Sequence, residues 1–204
     1  IILYFLLLKN NEHFSNLGNE NVIMTTYFCN KKDPQRPQKA PCNDLLYIKP
    51  WYYSVKRLGL NGVVFHDGMS DNFIKKYETD KIKFVYVDSN SYVYSLNDLR
   101  YFVYYDYILK NKNIKNVFMT DGNDVSIVKS PFNKFNKLCV GNEPMKISKS
   151  NWMRKKIKRF NHNNSKQFTY NNSSQIYNAG ILGGKRDEIL KFLNNMIDVF
   201  ENFD

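Results

Sequence analysis

The chain of 204 residues is sparing with several residue types that mark functional classes. It has three cysteines, Cys29, Cys42 and Cys139, with no C-x-x-C pair, and only three histidines. That spacing suggests neither a zinc site nor a disulfide framework, and free thiols are the expectation. Long hydrophobic runs are also missing. The opening "IILYFLLLKNNEH" offers eight apolar residues, where a membrane-spanning helix needs about 20. Residues 1–21 therefore read either as the end of a signal-anchor with a polar stalk, giving membrane association through the N-terminus, or as an edge strand or added extension. Acidic residues are few, 19 against 30 Lys and Arg, so the net charge is +11 and the pI about 9.4. Such a balance suits an acidic partner, whether nucleic acid, an anionic membrane face or a phosphorylated small molecule; a solvated basic surface explains it equally.

Apolar and aromatic residues, by contrast, are plentiful, at 43% and 16%. This is enough to bury a core and to exclude a disordered chain, and the length fits one domain or one domain and part of a second. Residues 22–28, "VIMTTYF", read as a buried strand, followed by a Pro-rich loop. Pro50 and Gly59 bracket a short helix. Strands follow at 62–66 and 82–87, with a helix at 70–77 between them. Ser95 and Asp98 form a capping-box signature that opens a helix to about Lys110. Strand four spans 117–120, and 125–128 and 137–141 read as further short strands. A basic helix, a polar loop, a strand "IYNAGILGG" and an amphipathic helix over 186–203 complete the pattern. That last helix runs to the end of the chain, so a C-terminal continuation is expected. Strand and helix alternate through the first 120 residues, which implies an α/β fold with a mainly parallel sheet flanked by helices and a mixed C-terminal half.

In such sheets ligands sit outside the carboxyl ends of the strands. Asp67, Asp88 and Asp121 all follow strand ends, but only Asp121 has a partner, in "VFMTDGNDVSIVKSPF". Asp121 and Asp124, turned into one crevice by Gly122, would hold Mg²⁺ or Mn²⁺ and through it the phosphates of a nucleotide. A solvent-exposed hairpin turn would use the same four residues. In "YNAGILGG", Asn178, Ala179, Gly180, Gly183 and Gly184 let a substrate approach the backbone while the Asn amide reads hydroxyls; tight packing or a β-bulge is the alternative. Arg100 suits a diphosphate or sugar contact, or a structural ion pair. Thr25, Thr26 and Tyr27 in strand one and Arg36 in "DPQR" would frame a nucleotide base and ribose, although a surface loop accounts for the latter. Glu143 in "GNEP" is a candidate base or acceptor-binding group, or a turn residue. The helix with Trp152, Arg154, Lys155, Lys156, Lys158 and Arg159 reads as a solvated or membrane-facing surface, because no nucleic-acid motif accompanies it.

Taken together these motifs resemble the nucleotide-sugar glycosyltransferases of the GT-A fold, whose marker is a D-x-D-type motif after a central strand. Here it stands as "TDGNDV" followed by "SPF", and "NAGILGG" before a helix is similar to the family's second landmark. A narrower similarity, to glycosyltransferase domains of large DNA viruses, rests on "DPQR" and "SLNDLRYF". The resemblance covers residues 22–203 and implies a glycosyltransferase domain over 22–204. It assigns Asp121 to the ribose or metal, Asp124 to the metal and diphosphate, and Asn178, Gly183 and Gly184 to donor sugar or acceptor. It also places Thr26 and Tyr27 at the base. The implied reaction moves a hexosyl or deoxyhexosyl unit from a nucleotide-sugar, UDP-linked by preference, to a glycan or glycoprotein hydroxyl, with Mn²⁺ or Mg²⁺ as cofactor. The motif has one residue more than strict D-x-D, and the family's further His or Asp ligand after the N-A-G segment would lie beyond Asp204. A viral chain would work in the host cytoplasm, and one with a signal-anchor at a membrane. Two alternatives stay open: a nucleotidyltransferase, although no Gly-rich phosphate loop with Lys or Arg follows strand one, or a non-catalytic basic module that binds glycan or nucleic acid.

Overall fold

The computed structural model describes residues 20–32, 38–135, 137–163 and 167–202. Residues 1–19, residues 33–37 with Arg36, and Phe203 lie outside the described residues, and so do most of the N-terminal extension and the "DPQR" segment. Along the rest run β1 (Asn21–Tyr27), α1 (Lys49–Arg57), β2 (Gly62–His66), α2 (Asp71–Tyr77), β3 (Ile82–Tyr86), α3 (Leu96–Lys110) and β4 (Asn116–Thr120). They are followed by β5 (Cys139–Lys146), α4 (Asn151–Asn163), β6 (Gln175–Lys185) and α5 (Arg186–Asn202). Among the described residues no helix is long and apolar enough to cross a membrane.

The six strands form one sheet in the order β3-β2-β1-β4-β6-β5. β1 pairs in parallel with β2 and β4, and β2 with β3, whereas β6 runs antiparallel to both β4 and β5. The fold is thus α/β, parallel in its first half and mixed in its second. Consecutive apolar residues in β1 show why it is central: Val22, Ile23 and Met24 are all fully buried, which requires cover on both faces. Val22 and Met24 join Phe65, Leu99, Val117 and Leu193 in a core under α3 and α5. Ile23 and Tyr27 face the other way, into a core with Trp51, Val55 and Val64 under α1. After β3 the chain crosses to the far side of β1 through α3 to form β4, so the topology switches between β1 and β4, where a crevice opens at their carboxyl ends.

Three local expectations differ from the structure. Residues 125–128 form no strand; instead Ile127 is buried, its N–H donates to Ser54 Oγ at 2.8 Å, and Val125 and Phe132 pack beside it against the α1 face. The apolar run seals a core rather than extending the sheet. Ser95 does not cap α3 through a backbone N–H, because its hydroxyl donates to Asp98 Oδ2 at 2.5 Å. Cys29 and Cys42 are not free thiols but a disulfide, their Cα atoms 5.4 Å apart. The loop after β1 doubles back so that the Tyr27 hydroxyl donates to the carbonyls of Pro41 and Asp44, and this return brings Cys42 to Cys29. Cys139 is a free, exposed thiol.

His66, at the end of β2, is 2% exposed and accepts a hydrogen bond at Nδ1 from the Met69 N–H. Burial pushes its imidazole down to about 4, against the opposing pull of the Asp67 carboxylate. An unfolded chain takes up this proton near pH 6.5 and the folded one near 4, so stability is complete above 6.5 and falls as the pH drops through this window. The loss from this group is up to about 3 kcal/mol. Thermal melts of wild type between pH 7 and about 4 are expected to show this decline, and His66→Gln, which keeps an acceptor for Met69, to flatten it; an unchanged profile in the variant would remove His66 as the cause.

Candidate functional site

The site is assembled where β1, β4, β6 and α3 meet. Thr120, the last residue of β4, pairs with Ile181 of β6, and the Asp121 N–H continues the ladder by donating to the Gly180 carbonyl at 2.8 Å. The indole N–H of Trp51 bonds Thr120 Oγ1 at 2.9 Å and ties the same strand end to α1. Asp121 lies directly over Gly180, where an ideal Cβ would sit 1.9 Å from Asp121 Oδ2. A residue with any side chain cannot occupy position 180 without expelling the carboxylate. Gly122 is equally confined: a Cβ there would lie 2.8 Å from Thr25 Oγ1 and 3.2 Å from Ile48 Cγ2.

Arg100, on α3, reaches across to Asp121, with one terminal guanidinium nitrogen 2.5 Å from Oδ1. The guanidinium also lies 5.2 Å from the Tyr101 ring centre. Burial opposes its charge, but Tyr101, Tyr104 and Asp121 outweigh this and its pKa is raised. The pair is unevenly buried, the Arg100 side chain 12% exposed and Asp121 41%, and Oδ2, the oxygen that does not receive this bond, lies against Gly180.

In front of the pair lies a cleft of about 210 Å³ lined by Thr26, Phe28, Ala40, Tyr47, Leu96, Asn97, Arg100 and the turn Asp121–Asp124. Of the residues singled out from sequence, Thr26, Arg100, Asp121, Gly122 and Asp124 share this cleft. Alternation along β1 sends Thr25 and Tyr27 elsewhere. Thr25 is fully buried beneath Gly122. Tyr27 is fully buried too, its hydroxyl pushed up to about 12 mainly by that burial, and it supports the cleft at one remove by stacking on Tyr47 with ring centres 4.6 Å apart.

The other strand-end carboxylates are committed to structure. Asp67 accepts from the Cys29 and Asn30 N–H groups and from the Ser89 hydroxyl, and Asp88 caps the short turn that follows it.

From Gly180 a polar line continues to β5. Asn178 Oδ1 accepts from the Gly180 N–H at 2.6 Å, and its amide donates to Glu143 Oε1 at 2.5 Å. Ala179 contributes its carbonyl, which accepts from the Tyr101 hydroxyl at 3.3 Å. The structure does not bring Gly183 and Gly184 to the cleft. They pair with Phe118 and Val117, back along β4, and a Cβ on Gly183 would meet the rings of Phe118 and Phe135 at 2.6 Å. Their smallness permits packing.

Asn97, Asn123, Phe28 and Tyr47 line the cleft without having been singled out. Asn97 had a usable signal, since it stands three residues before Arg100 and so on the same helical face. Tyr47 had none, because its place depends on the path of the disulfide-closed loop.

Two carboxylates on one cleft fit a divalent cation of the Mg²⁺ type, which takes one or two protein carboxylates and completes its shell with phosphate and water. Asp121 keeps Oδ2 for such a role, Asp124 is exposed, and no described side chain is ion-paired to Asp124. No group of three or more His, Cys, Asp or Glu is assembled among the described residues, so any further ligands would come from the bound molecule.

The tight seat of Gly122 is open to test by denaturant unfolding. Gly122→Ala is expected to cost about 1–3 kcal/mol, and Thr25→Ala in the same chain to recover part of it by removing Oγ1. Strictly additive effects would show that the two positions do not press on each other. Neither a protein-family model nor a curated protein matches the chain, so the chemistry of this cleft is what indicates its task.

Proposed function

We propose that the chain is a GT-A-type glycosyltransferase that uses a nucleotide-sugar, UDP-linked by preference, and a divalent cation. The observation that carries this reading is the cleft at the switch between β1 and β4, which combines a paired arginine and aspartate, a second carboxylate and an aromatic wall. Tyr47 and Thr26, which line the cleft on the side of β1, are assigned to the nucleoside. Arg100 and the acidic turn are assigned to the diphosphate, and Asn178 and Gly180 to the sugar.

Asp124, with Asp121 Oδ2, would hold Mn²⁺ or Mg²⁺. When bound, the cation supplies Lewis-acid neutralisation of the diphosphate. Arg100 adds a fixed positive charge on the same side, preorganised by Asp121 before any ligand arrives. Transfer forms a bond between the acceptor oxygen and the anomeric carbon and breaks the bond from that carbon to the diphosphate, which leaves with the electron pair. For an inverting reaction the acceptor proton passes to a carboxylate, and Glu143, oriented by Asn178, is our choice for it.

Calorimetric titration with UDP is expected to show binding that strengthens when Mn²⁺ is added. Asp124→Ala should lower the metal-dependent affinity at least tenfold, about 1.4 kcal/mol, with an unchanged circular dichroism spectrum. Gly180→Ala should abolish transfer by displacing Asp121. Metal-independent binding that Asp124→Ala leaves intact would overturn the assignment of the turn. Pyrophosphate release from a nucleoside triphosphate and a sugar phosphate would replace glycosyl transfer by nucleotidyl transfer.

A further inference from the structure

We propose that α4 and the aromatic segment after it form a docking surface for an anionic lipid bilayer. This goes beyond the transfer reaction and does not depend on it. Charge is divided unevenly along the chain: ten of the 30 Lys and Arg, and none of the 19 acidic residues, lie between Pro144 and Arg186. Elsewhere 20 basic residues face 19 acidic ones, so nearly all of the net +11 belongs to this one segment.

α4 concentrates that charge on one side. Its buried residue is Ile157, flanked by the half-buried Met153 and Phe160. At 100° per residue the remaining arc, about 200° wide, carries Arg154, Lys158, Lys155, Arg159, Trp152 and Lys156, all of them exposed. Trp152 stands 58% exposed amid these cations, with the Lys156 ammonium 5.6 Å from its ring. A second aromatic feature adjoins the helix. Phe168 and Tyr170, 52% and 37% exposed, stack with ring centres 6.3 Å apart. The Phe168 backbone is tied to Asn161 of α4 by two hydrogen bonds, of 2.7 and 3.1 Å.

Cations that pair with anionic headgroups, together with indole and phenol rings that rest at headgroup depth, are what an anionic interface accepts. A single-stranded polyanion is held in a groove where successive bases stack on open rings. Here Phe168 and Tyr170 stack on each other and Trp152, on the exposed side of α4, carries a lysine. Position favours the bilayer as well. β6 starts at Gln175, opposite Lys146, and reaches Thr120 only at Ile181, so α4 is joined to the sheet beyond the carboxyl ends of β1 and β4. A membrane held there lies on the side where the cleft opens.

The test uses the whole chain and sedimentation with vesicles of phosphatidylcholine alone or mixed with phosphatidylserine. Retention is expected on the mixed vesicles only, weakening as salt is raised. Lys155→Ala with Lys158→Ala should lower the partition coefficient about fivefold per charge, roughly 25-fold together. Trp152 emission should shift to the blue on mixed vesicles, while Trp51, already fully buried, contributes no change; the shift should vanish in Trp152→Phe. Equal retention on neutral vesicles, no retention at all, or binding to single-stranded RNA or heparin without binding to the mixed vesicles would overturn the proposal.

Discussion

The ion pair between Arg100 and Asp121 ties α3 to the end of β4 at the point where β6 runs beside it. Arg100 belongs to α3, Asp121 to the end of β4, and the ground beneath the carboxylate is Gly180 of β6. Removing either partner leaves the other charge half-buried and uncompensated, which costs more than the pair itself contributes. The pair also fixes the carboxylate, because one oxygen is held by the guanidinium and the other rests against Gly180. The bond that Asn178 accepts from the Gly180 N–H and the one it donates to Glu143 carry that order onward to β5.

What the sequence made legible follows from periodicity. Continuous apolar runs identified the buried parallel strands and helical spacing identified α5, because burial on two faces or on one stripe leaves a direct imprint on residue choice; α3 was read from the Ser95 and Asp98 signature at its start. The acidic turn was legible for a related reason: polar residues between two apolar runs stand out. Residues 125–128 were misread because an apolar run that plugs a core and one that extends a sheet have the same composition; only the Ser54 bond to Ile127 separates them. The glycines show a similar limit. Gly180 and Gly183 are three residues apart, yet one makes room for a carboxylate and the other for two phenyl rings. A glycine records that something comes close, and not what.

The cysteine pairing was illegible for a different reason. Thirteen positions separate Cys29 from Cys42, and their meeting depends on the fold of the loop and on the Tyr27 hydroxyl that gathers its return. Tyr47 and Ala40 reach the cleft along the same path, so the wall they form could not be inferred from local pattern. Arg100, Asp121 and Gly122 come from regular elements and the turn attached to them, and could.

This difference has a mechanical consequence. Closing a loop of this length stabilises the folded chain by about 3 kcal/mol, chiefly by restricting the unfolded one, and the bond lasts only in oxidising surroundings. The wall made by Arg100, Asp121 and Gly122 rests on hydrogen bonds and packing that no reductant touches. The wall made by Ala40 and Tyr47 hangs on the crosslinked loop. One cleft thus has a side whose shape is written in the sequence and a side whose shape is lent by the compartment in which the chain folds.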